Sequence, residues 1–329
     1  MARPGPRNSL TDVAGLLVGN ASDAAARTGV TVVLAETQTV AAVEVAGGAP
    51  GTRETDLLRL EGLVGMVDAV VLSGGSVYGL AAADAVTAAL GGRGRGYRRL
   101  EGAPTAPLVS AAILFDLANG GDKAWGEDPP YARLGRQALD AAGSDFALGA
   151  IGAGTGAMAG TLPGGLGSAS IAADDGITIG ALAAVNSFGS VVAPDGRTFW
   201  AAPYEIEGEF GGRGTAGLGA DPDRWPYAKA DPGARENTTI CVVATDARLT
   251  APECKRVAAM ATAGLARAIR PVFAPYDGDV VFALATCRVE AAEPRPFSVA
   301  RIGALAADCL ARAVARGVFE AYPGAAREA

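Results

Sequence analysis

The chain changes character at Glu236-Asn237-Thr238-Thr239-Ile240, where a Gly- and Pro-rich segment, 203–236, meets a run of β-branched residues, 238–245. A threonine at such a junction can attack the carbonyl of the residue before it and so become a new N-terminus. Threonine paired with its own α-amine is an activated nucleophile. That amine has a pKa of about 7.7–8.0, which suits a general base at neutral pH. The alternative interpretation of Asn237-Thr238 is an ordinary strand start, because Asn favours turns and Thr favours strands.

The chain contains no histidine, which limits the kinds of catalytic and metal-binding site it can form. A Ser-His-Asp triad, a Cys-His pair and histidine-based metal sites are all excluded. Proton transfer must therefore use carboxylates, tyrosine, a terminal amine or one of three lysines, Lys123, Lys229 and Lys255. The four cysteines fit no zinc-binding spacing and are predicted to be buried free thiols. We expect no metal and no cofactor.

The composition predicts one well-packed domain over residues 1–329. Half of the residues are apolar and 19% are charged, which is typical of globular proteins. The net charge of −7 argues against a nucleic-acid partner. No apolar run reaches the ~18 residues that a membrane span requires, and no signal peptide is visible, so we expect a cytoplasmic protein without a membrane partner.

Strand and helix patterns alternate, but hairpins and long helices are mixed, which favours an α+β layered sandwich over a doubly wound sheet. Strands 31–34 and 40–45 are expected to form a hairpin across a short turn. Further strands are predicted at 69–72, 107–117, 177–185, 239–245 and 279–286, and helices at 78–90, 131–142, 251–269 and 299–320. The segment 203–236 shows no periodicity, and loops of this length are usually functional or linkers.

Three polar positions are candidates for catalysis beside Thr238. Asp277 and Asp279 flank a glycine at the start of a predicted strand, where two carboxylates can face one site. Asn186 ends another strand, and its amide can donate to an oxyanion, a contact worth about 3–4 kcal/mol in other enzymes. The alternatives are an Asp-Gly turn and a strand cap.

Two glycine-rich stretches have competing interpretations. The stretch 152–157 superficially fits a dinucleotide fingerprint, but the residues after it cannot form a good helix, so close backbone packing explains it better. Gly74 and Gly75 precede a predicted helix. Backbone N–H groups at this position can hold an anion or an oxyanion, or the two glycines simply form a turn.

Taken in order, eight motifs resemble the DmpA-type peptidase family over nearly the whole chain. Within that family the junction and Asp277-Gly278-Asp279 look most like the nylon-oligomer hydrolases, which cut 6-aminohexanoate oligomers. The motifs are 9–19, 73–80, 152–156, 164–168, Asn186, 237–240, 244–246 and 277–279.

The resemblance implies a four-layer α/β/β/α sandwich of the N-terminal-nucleophile type. It also implies self-cleavage into 1–237 and 238–329, and assembly into a homo-oligomer, a tetramer of cleaved units. By the same analogy Thr238 is the nucleophile, Asn186 the oxyanion donor, and Asp277 and Asp279 the orienting groups. We expect the substrate pocket to draw on Gly74, Gly75, Tyr78 and Phe115.

Two positions depart from the family pattern. A lysine is expected near Thr161–Pro163, where this chain reads Gly160-Thr161-Leu162-Pro163. A tyrosine is expected before Asp116, where this chain has Phe115.

The sequence therefore predicts a self-processing amide hydrolase acting on small linear amides, 6-aminohexanoate oligomers or short peptides. An aminopeptidase is the nearest alternative. An acyltransferase of the ornithine acetyltransferase type is a second alternative, because those enzymes look similar around Thr245-Asp246-Ala247. A catalytically impaired binding homologue is a third.

Overall fold

A computed structural model describes residues 3–229 and 237–322, so Glu236 of the junction lies outside the described residues. The described ranges form four α-helices and eleven strands. The helices are α1 (Ala81–Gly92), α2 (Tyr131–Asp140), α3 (Ala251–Ala268) and α4 (Arg295–Ala321). The strands are β1 (Leu16–Asp23), β2 (Thr28–Val45), β3 (Thr52–Arg53), β4 (Met66–Ser73), β5 (Val109–Ile113), β6 (Met158–Ala159), β7 (Leu162–Pro163), β8 (Gly165–Ala172), β9 (Thr178–Asn186), β10 (Thr238–Ala247) and β11 (Val280–Val289).

Most predicted elements are confirmed, but the hairpin over 31–45 is wrong. That region is one continuous strand, β2, whose pairing with β4 shifts register between Leu34 and Thr39. The residues between these positions contain no Gly, Pro or Asn, so nothing in them favours a tight turn. The chain therefore continues as a strand instead of folding back.

The strands hydrogen-bond in the order β3-β5-β4-β2-β11-β10-β9-β8, and β1 also pairs with β2. The long strand β2 lies in the middle of this order, where it pairs with β4 on one side and with β11 on the other. A register shift along a strand bends it, which allows the strands on the β4 side and the strands on the β11 side to face each other. One strand thus connects two packed layers.

Three groups of buried apolar residues separate four layers. One group packs α1 and α2 against β2, β4 and β5, and includes Val32, Val86 and Leu134. A second lies between the strand layers and includes Val33, Val242 and Phe282. A third packs β8–β11 against α3 and α4. The four-layer α/β/β/α sandwich is therefore confirmed.

The local sequence explains where α3 begins. The Thr250 hydroxyl accepts a hydrogen bond from the Glu253 N–H, and the Glu253 carboxylate accepts one from the Thr250 N–H at 2.8 Å. This capping box satisfies donors that a helix start leaves unpaired. Similarly, the tight packing expected for 152–157 is confirmed, because a Cβ on Gly154 would lie 2.2 Å from the Leu166 nitrogen.

The segment before the junction is tied to the C-terminal helix by a buried ion pair. Arg312 of α4 is fully buried and donates from Nη2 to the Glu209 carboxylate at 2.9 Å. The same guanidinium donates to Ser170 O and to Asn8 Oδ1, each at 2.9 Å. Parts of the chain on either side of Thr238 are thus held together. Within 3–229 and 237–322, no helix is long and apolar enough to cross a membrane.

Candidate active site

Thr238 is the first residue of β10, a strand in the middle of the sheet. β9 runs antiparallel beside it and places Asn186 directly opposite Thr238. β11 lies on the other side and is preceded by the turn that carries Asp277 and Asp279. The four residues predicted for catalysis therefore meet at one end of three adjacent strands, and all four are buried.

The peptide bond between Asn237 and Thr238 is held by the turn 276–279. Asn237 forms a parallel β-bridge with Asp277, and its carbonyl oxygen accepts a hydrogen bond from the Gly278 N–H at 2.8 Å. The Thr238 hydroxyl lies 2.5 Å from the same carbonyl oxygen. The Thr238 hydroxyl thus lies beside an amide carbonyl that also accepts a backbone hydrogen bond.

One carboxylate contacts the backbone just after the junction, and the other contacts the backbone of its own turn. Asp279 Oδ1 accepts a hydrogen bond from the Thr239 N–H at 2.6 Å, and Asp277 Oδ2 accepts one from the Ala274 N–H at 2.9 Å. Burial, with the neighbouring Asp277 carboxylate second, raises the pKa of Asp279 to about 7. Burial also raises the pKa of Asp277. With a pKa of about 7, Asp279 can take up and release a proton near neutral pH, which is the range that suits a general base.

The strand that ends in Val45 supports this turn from behind. The Ala49 N–H donates to Asp277 O at 2.8 Å, and the Ala46 N–H donates to Asp279 O at 2.9 Å. A Cβ on Gly47 would lie 2.2 Å from Asp277 O, so only glycine permits this approach. The glycine pair after β2 thus has a role beyond ending a strand.

Hydrogen bonds fix the orientation of the Asn186 amide. Its Oδ1 accepts from the Met158 N–H at 2.9 Å, and its Nδ2 donates to Phe115 O at 3.0 Å. An inverted amide would lose both contacts, so the assignment is set by the network. An amide nitrogen carries two hydrogens, and Phe115 O uses one of them. The other is available to a reacting oxygen.

Lys229 reaches this site, although the sequence motifs did not identify it. Its ammonium is buried and donates to Asn186 O at 3.2 Å, with Asn186 Oδ1 at 3.5 Å. The segment carrying it is anchored by the Lys229 N–H on Phe188 O (3.0 Å) and by the Thr161 N–H on Tyr227 O (2.8 Å). A lysine thus comes in beside Thr161 from another part of the chain. Its place in the aperiodic segment before the junction was the available signal.

A cavity of about 210 Å³ opens beside Asn186. Of the four residues predicted to bind substrate, Phe115 lines this cavity, and Gly74, Gly75 and Tyr78 are not among its lining residues. The lining residues are Arg27, Phe115, Asp116, Ala118, Asn119, Gly156, Met158, Asn186 and Lys229.

The three remaining predicted pocket residues lie behind or away from this cavity. The Gly75 N–H donates to Asp116 Oδ1 at 2.8 Å, and the Gly74 N–H donates to Gly29 O at 2.9 Å. These amides therefore already have protein acceptors. Tyr78 packs edge-on against Trp125, with ring centroids 6.0 Å apart.

Comparison with known proteins identifies the family of this chain. A family model described as peptidase family S58 matches residues 8–329. An uncharacterized aminopeptidase of Mycobacterium tuberculosis is 46% identical, covering 96% of this chain and 95% of its own length. A 6-aminohexanoate-oligomer endohydrolase of an Agromyces species is 29% identical, covering 85% of this chain and 75% of its own.

A solved structure gives the fold. The L-aminopeptidase D-Ala-esterase/amidase of Ochrobactrum anthropi, described as a variant of the Ntn hydrolase fold, has a TM-score of 0.70. It is 23% identical, and the match covers 98% of this chain and 88% of the other. Fold and relatives together define a peptide or amide hydrolase built on the N-terminal-nucleophile fold. The chain belongs to peptidase family S58, and its resemblance to the DmpA-type peptidases is confirmed.

Proposed function

We propose that this protein is a self-processing amide hydrolase whose nucleophile is Thr238, released by cleavage of the Asn237–Thr238 bond. The observation that carries the proposal is the contact of the Thr238 hydroxyl with the Asn237 carbonyl oxygen, beside two carboxylates and opposite Asn186. The absence of histidine leaves the new α-amine as the natural proton acceptor.

In turnover the Thr238 hydroxyl attacks the substrate carbonyl, and its proton passes to the Thr238 amine. The Asn186 amide donates to the oxyanion, and the proton moves from the amine to the leaving nitrogen. The resulting acyl-enzyme is an ester on Thr238 Oγ1. Water, deprotonated by the same amine, then releases the acid.

Lys229 has a positioning role in this proposal. Its ammonium contacts both the backbone oxygen and the side-chain oxygen of Asn186, so it holds the amide with Nδ2 turned toward Phe115 O. The chain thus supplies a lysine to the site from the segment before the cleaved bond. Asp277 and Asp279 orient the hydroxyl and the amine of Thr238.

The proposed substrates are small linear amides, 6-aminohexanoate oligomers or short peptides. The size of the cavity and the names of the relatives both support this class. A tetramer of cleaved units is proposed from the family resemblance, and the molar mass in solution measures it directly.

An aminopeptidase is favoured by one particular observation. Asp116 is a buried carboxylate on the cavity wall, where it accepts from the Gly75 N–H and, at 2.5 Å, from the Thr28 hydroxyl. A carboxylate in that place suits the ammonium group of an amino-acyl substrate. The wild-type protein should then hydrolyse alanine p-nitroanilide faster than its N-acetylated form, and Asp116→Asn should remove this preference by slowing only the free amine. Equal loss on both substrates would contradict an aminopeptidase.

The mass of the purified protein tests self-processing. Cleavage predicts fragments of about 24 and about 9 kDa, from 237 and 92 residues at about 0.1 kDa each. Thr238→Ala should leave one chain and no amide hydrolysis, because the nucleophile is gone. Thr238→Ser retains a hydroxyl and serves as the matched control, which should still be cleaved. A wild-type chain that stays whole and hydrolyses nothing would instead indicate a binding homologue.

Transfer of the acyl group to an added amine distinguishes the remaining alternative. If the acyl-enzyme reacts with hydroxylamine or ornithine in preference to water, the protein is an acyltransferase. Free acid as the main product supports the hydrolase.

A further inference from the structure

One short turn, 276–278, binds both the N–H and the carbonyl oxygen of Asn237. The Asn237 N–H donates to Tyr276 O at 3.4 Å, and the Asn237 carbonyl oxygen accepts from the Gly278 N–H at 2.8 Å. The turn is itself held by the Ala49 N–H on Asp277 O. The carbonyl that would be attacked is therefore fixed against a rigid backbone donor.

Glycine is needed at position 278 for a reason that concerns the nucleophile. A Cβ there would lie 2.7 Å from Thr238 Oγ1 and 2.8 Å from Ala49 O. Contacts under 3.0 Å require one of the groups to move, and both neighbours are packed. Gly278 thus leaves room for the Thr238 hydroxyl while its N–H binds the carbonyl beside that hydroxyl.

Asn186 has a different position. Its amide lies on the wall of the cavity of about 210 Å³, and its nitrogen donates to Phe115 O, which also belongs to that wall. The cavity is where a substrate has space to enter. The site therefore contains two hydrogen-bond donors for an oxyanion, one on the side of the turn and one on the side of the cavity.

We propose that the Gly278 N–H is the oxyanion donor of self-cleavage, whereas Asn186 serves the hydrolysis of substrates. The inference rests on the proposed function and assigns a separate catalytic group to each of its two reactions. A donor 2.7–3.1 Å from the developing oxyanion is the geometry that such a site requires.

Self-cleavage is an acyl shift from the Thr238 nitrogen to the Thr238 hydroxyl oxygen, followed by hydrolysis. The Thr238 hydroxyl gives its proton to the Asp277–Asp279 pair and attacks the Asn237 carbonyl carbon, and the carbonyl electrons move to the oxygen bound by Gly278. The carbon–nitrogen bond breaks, and the nitrogen takes the proton from the pair. Water hydrolyses the resulting ester, which leaves the Asn237 carboxylate and the Thr238 α-amine.

A backbone ester tests this role without adding an atom. Glycolic acid in place of Gly278, introduced into the full chain by in vitro translation, replaces only the N–H by oxygen. The rate of cleavage, followed by intact mass, should fall about 10²–10³-fold, as when one oxyanion donor is removed. Lactic acid in place of Ala49 is the matched control, because it removes a hydrogen bond of 2.8 Å from the same turn. We expect this control to be cleaved within a fewfold of the wild-type rate.

Three outcomes would overturn the inference. Cleavage of the 278 ester at the wild-type rate would show that the N–H is not needed. Equal slowing in both esters would show that the rigidity of the turn, and not a donor to the oxyanion, controls the rate. A wild-type chain that is never cleaved at Thr238 would refute the proposed function and this inference together, and is distinguished from the first two by the wild-type mass.

Discussion

Thr238 is surrounded by backbone groups on the side of the turn and by polar side chains on the side of the cavity. On the side of the turn, backbone N–H groups bind the Asn237 carbonyl, and glycines at 47 and 278 allow the strands to approach closely. On the side of the cavity, the side chains of Asn186 and Lys229 provide the polar contacts. A backbone donor stays in place when its side chain is substituted, whereas a side-chain donor is lost on substitution. Self-processing should therefore resist substitution better than substrate turnover does.

The largest expected effect lies outside both regions and concerns stability. Arg312→Met removes the nearer of the two arginines that pair with the buried Glu209 carboxylate, and leaves Arg316 Nε at 3.6 Å. Because the hydrogen bonds of Arg312 to Ser170 O and Asn8 Oδ1 are lost as well, the free energy of unfolding should fall by about 3–5 kcal/mol. The measurement is urea denaturation in the Thr238→Ala background, where the chain is expected to remain whole. Cleavage and turnover per folded chain should change little in the variant with Thr238 restored.

A second arginine of α4 serves as the control for that variant. Arg301 pairs with Asp175 on the surface, with about a third of each side chain exposed. Arg301→Met should cost less than about 1 kcal/mol because exposed ion pairs contribute little. Equal destabilisation by both variants would contradict a special role of the buried pair.

The comparison is tested most directly by Asn186→Ala. Removal of an oxyanion donor should lower kcat for amide hydrolysis about 10²–10³-fold per cleaved chain. Self-cleavage should slow by less than tenfold, because its carbonyl is bound by Gly278. Mass spectrometry gives the first-order rate of cleavage, and steady-state kinetics give turnover. If both rates fall together, the two sides of Thr238 share one oxyanion donor.

Lys229→Met should lower turnover by about 10- to 100-fold, since a hydrogen bond from a charged group contributes about 1.5–3 kcal/mol. Lys229→Arg should restore part of the loss by returning the charge. Lys255→Met is the control, because Lys255 pairs with Glu44 at the surface. A Lys229→Met enzyme with wild-type kcat would show that Asn186 is positioned without the ammonium.

The rate of self-cleavage should also depend on pH. Asp279, with a pKa of about 7, must lose its proton to act as a base, so cleavage should accelerate about tenfold per pH unit up to about pH 7 and then level off. Asp279→Asn should abolish this profile. A rate independent of pH between 5 and 8 in the wild type would contradict the role of the pair.

The raised pKa of Asp279 also makes the free energy of unfolding depend on pH, in the direction opposite to that of the cleavage rate. The folded Asp279 holds its proton up to about pH 7, whereas the unfolded residue loses it near its ordinary value of 3.8. The folded state therefore binds more protons between these values, and the free energy of unfolding falls as pH rises through that window. The melting temperature of the Thr238→Ala chain should accordingly be higher at pH 5 than at pH 8.

Much of the fold was predictable because its signals are local. The apolar spacing of α2 and the capping box of α3 specify those helices within a few residues, and both are confirmed. The predicted hairpin over 31–45 failed because a bend without a turn residue has no local signature. Its cause is pairing with two different strand layers, which no single segment encodes.

The candidate site divides in the same way. Thr238, Asn186, Asp277 and Asp279 were predicted as a group, and the fold brings them together at adjacent strand ends. The substrate-binding roles of Tyr78, Gly74 and Gly75 stay predictions, and the contacts described for these residues are with Trp125, Gly29 and Asp116. A strand-to-helix turn says little about which cavity it faces.

The sequence by itself determined the chemistry that is possible: no histidine, a threonine after an asparagine, and paired carboxylates across a glycine. These are properties of side chains and of their order. Only the tertiary structure decided that Lys229 contacts Asn186 and that the Gly278 N–H binds the Asn237 carbonyl. The register of neighbouring strands sets such contacts, and every residue but proline carries the same backbone N–H, so no residue type announces them.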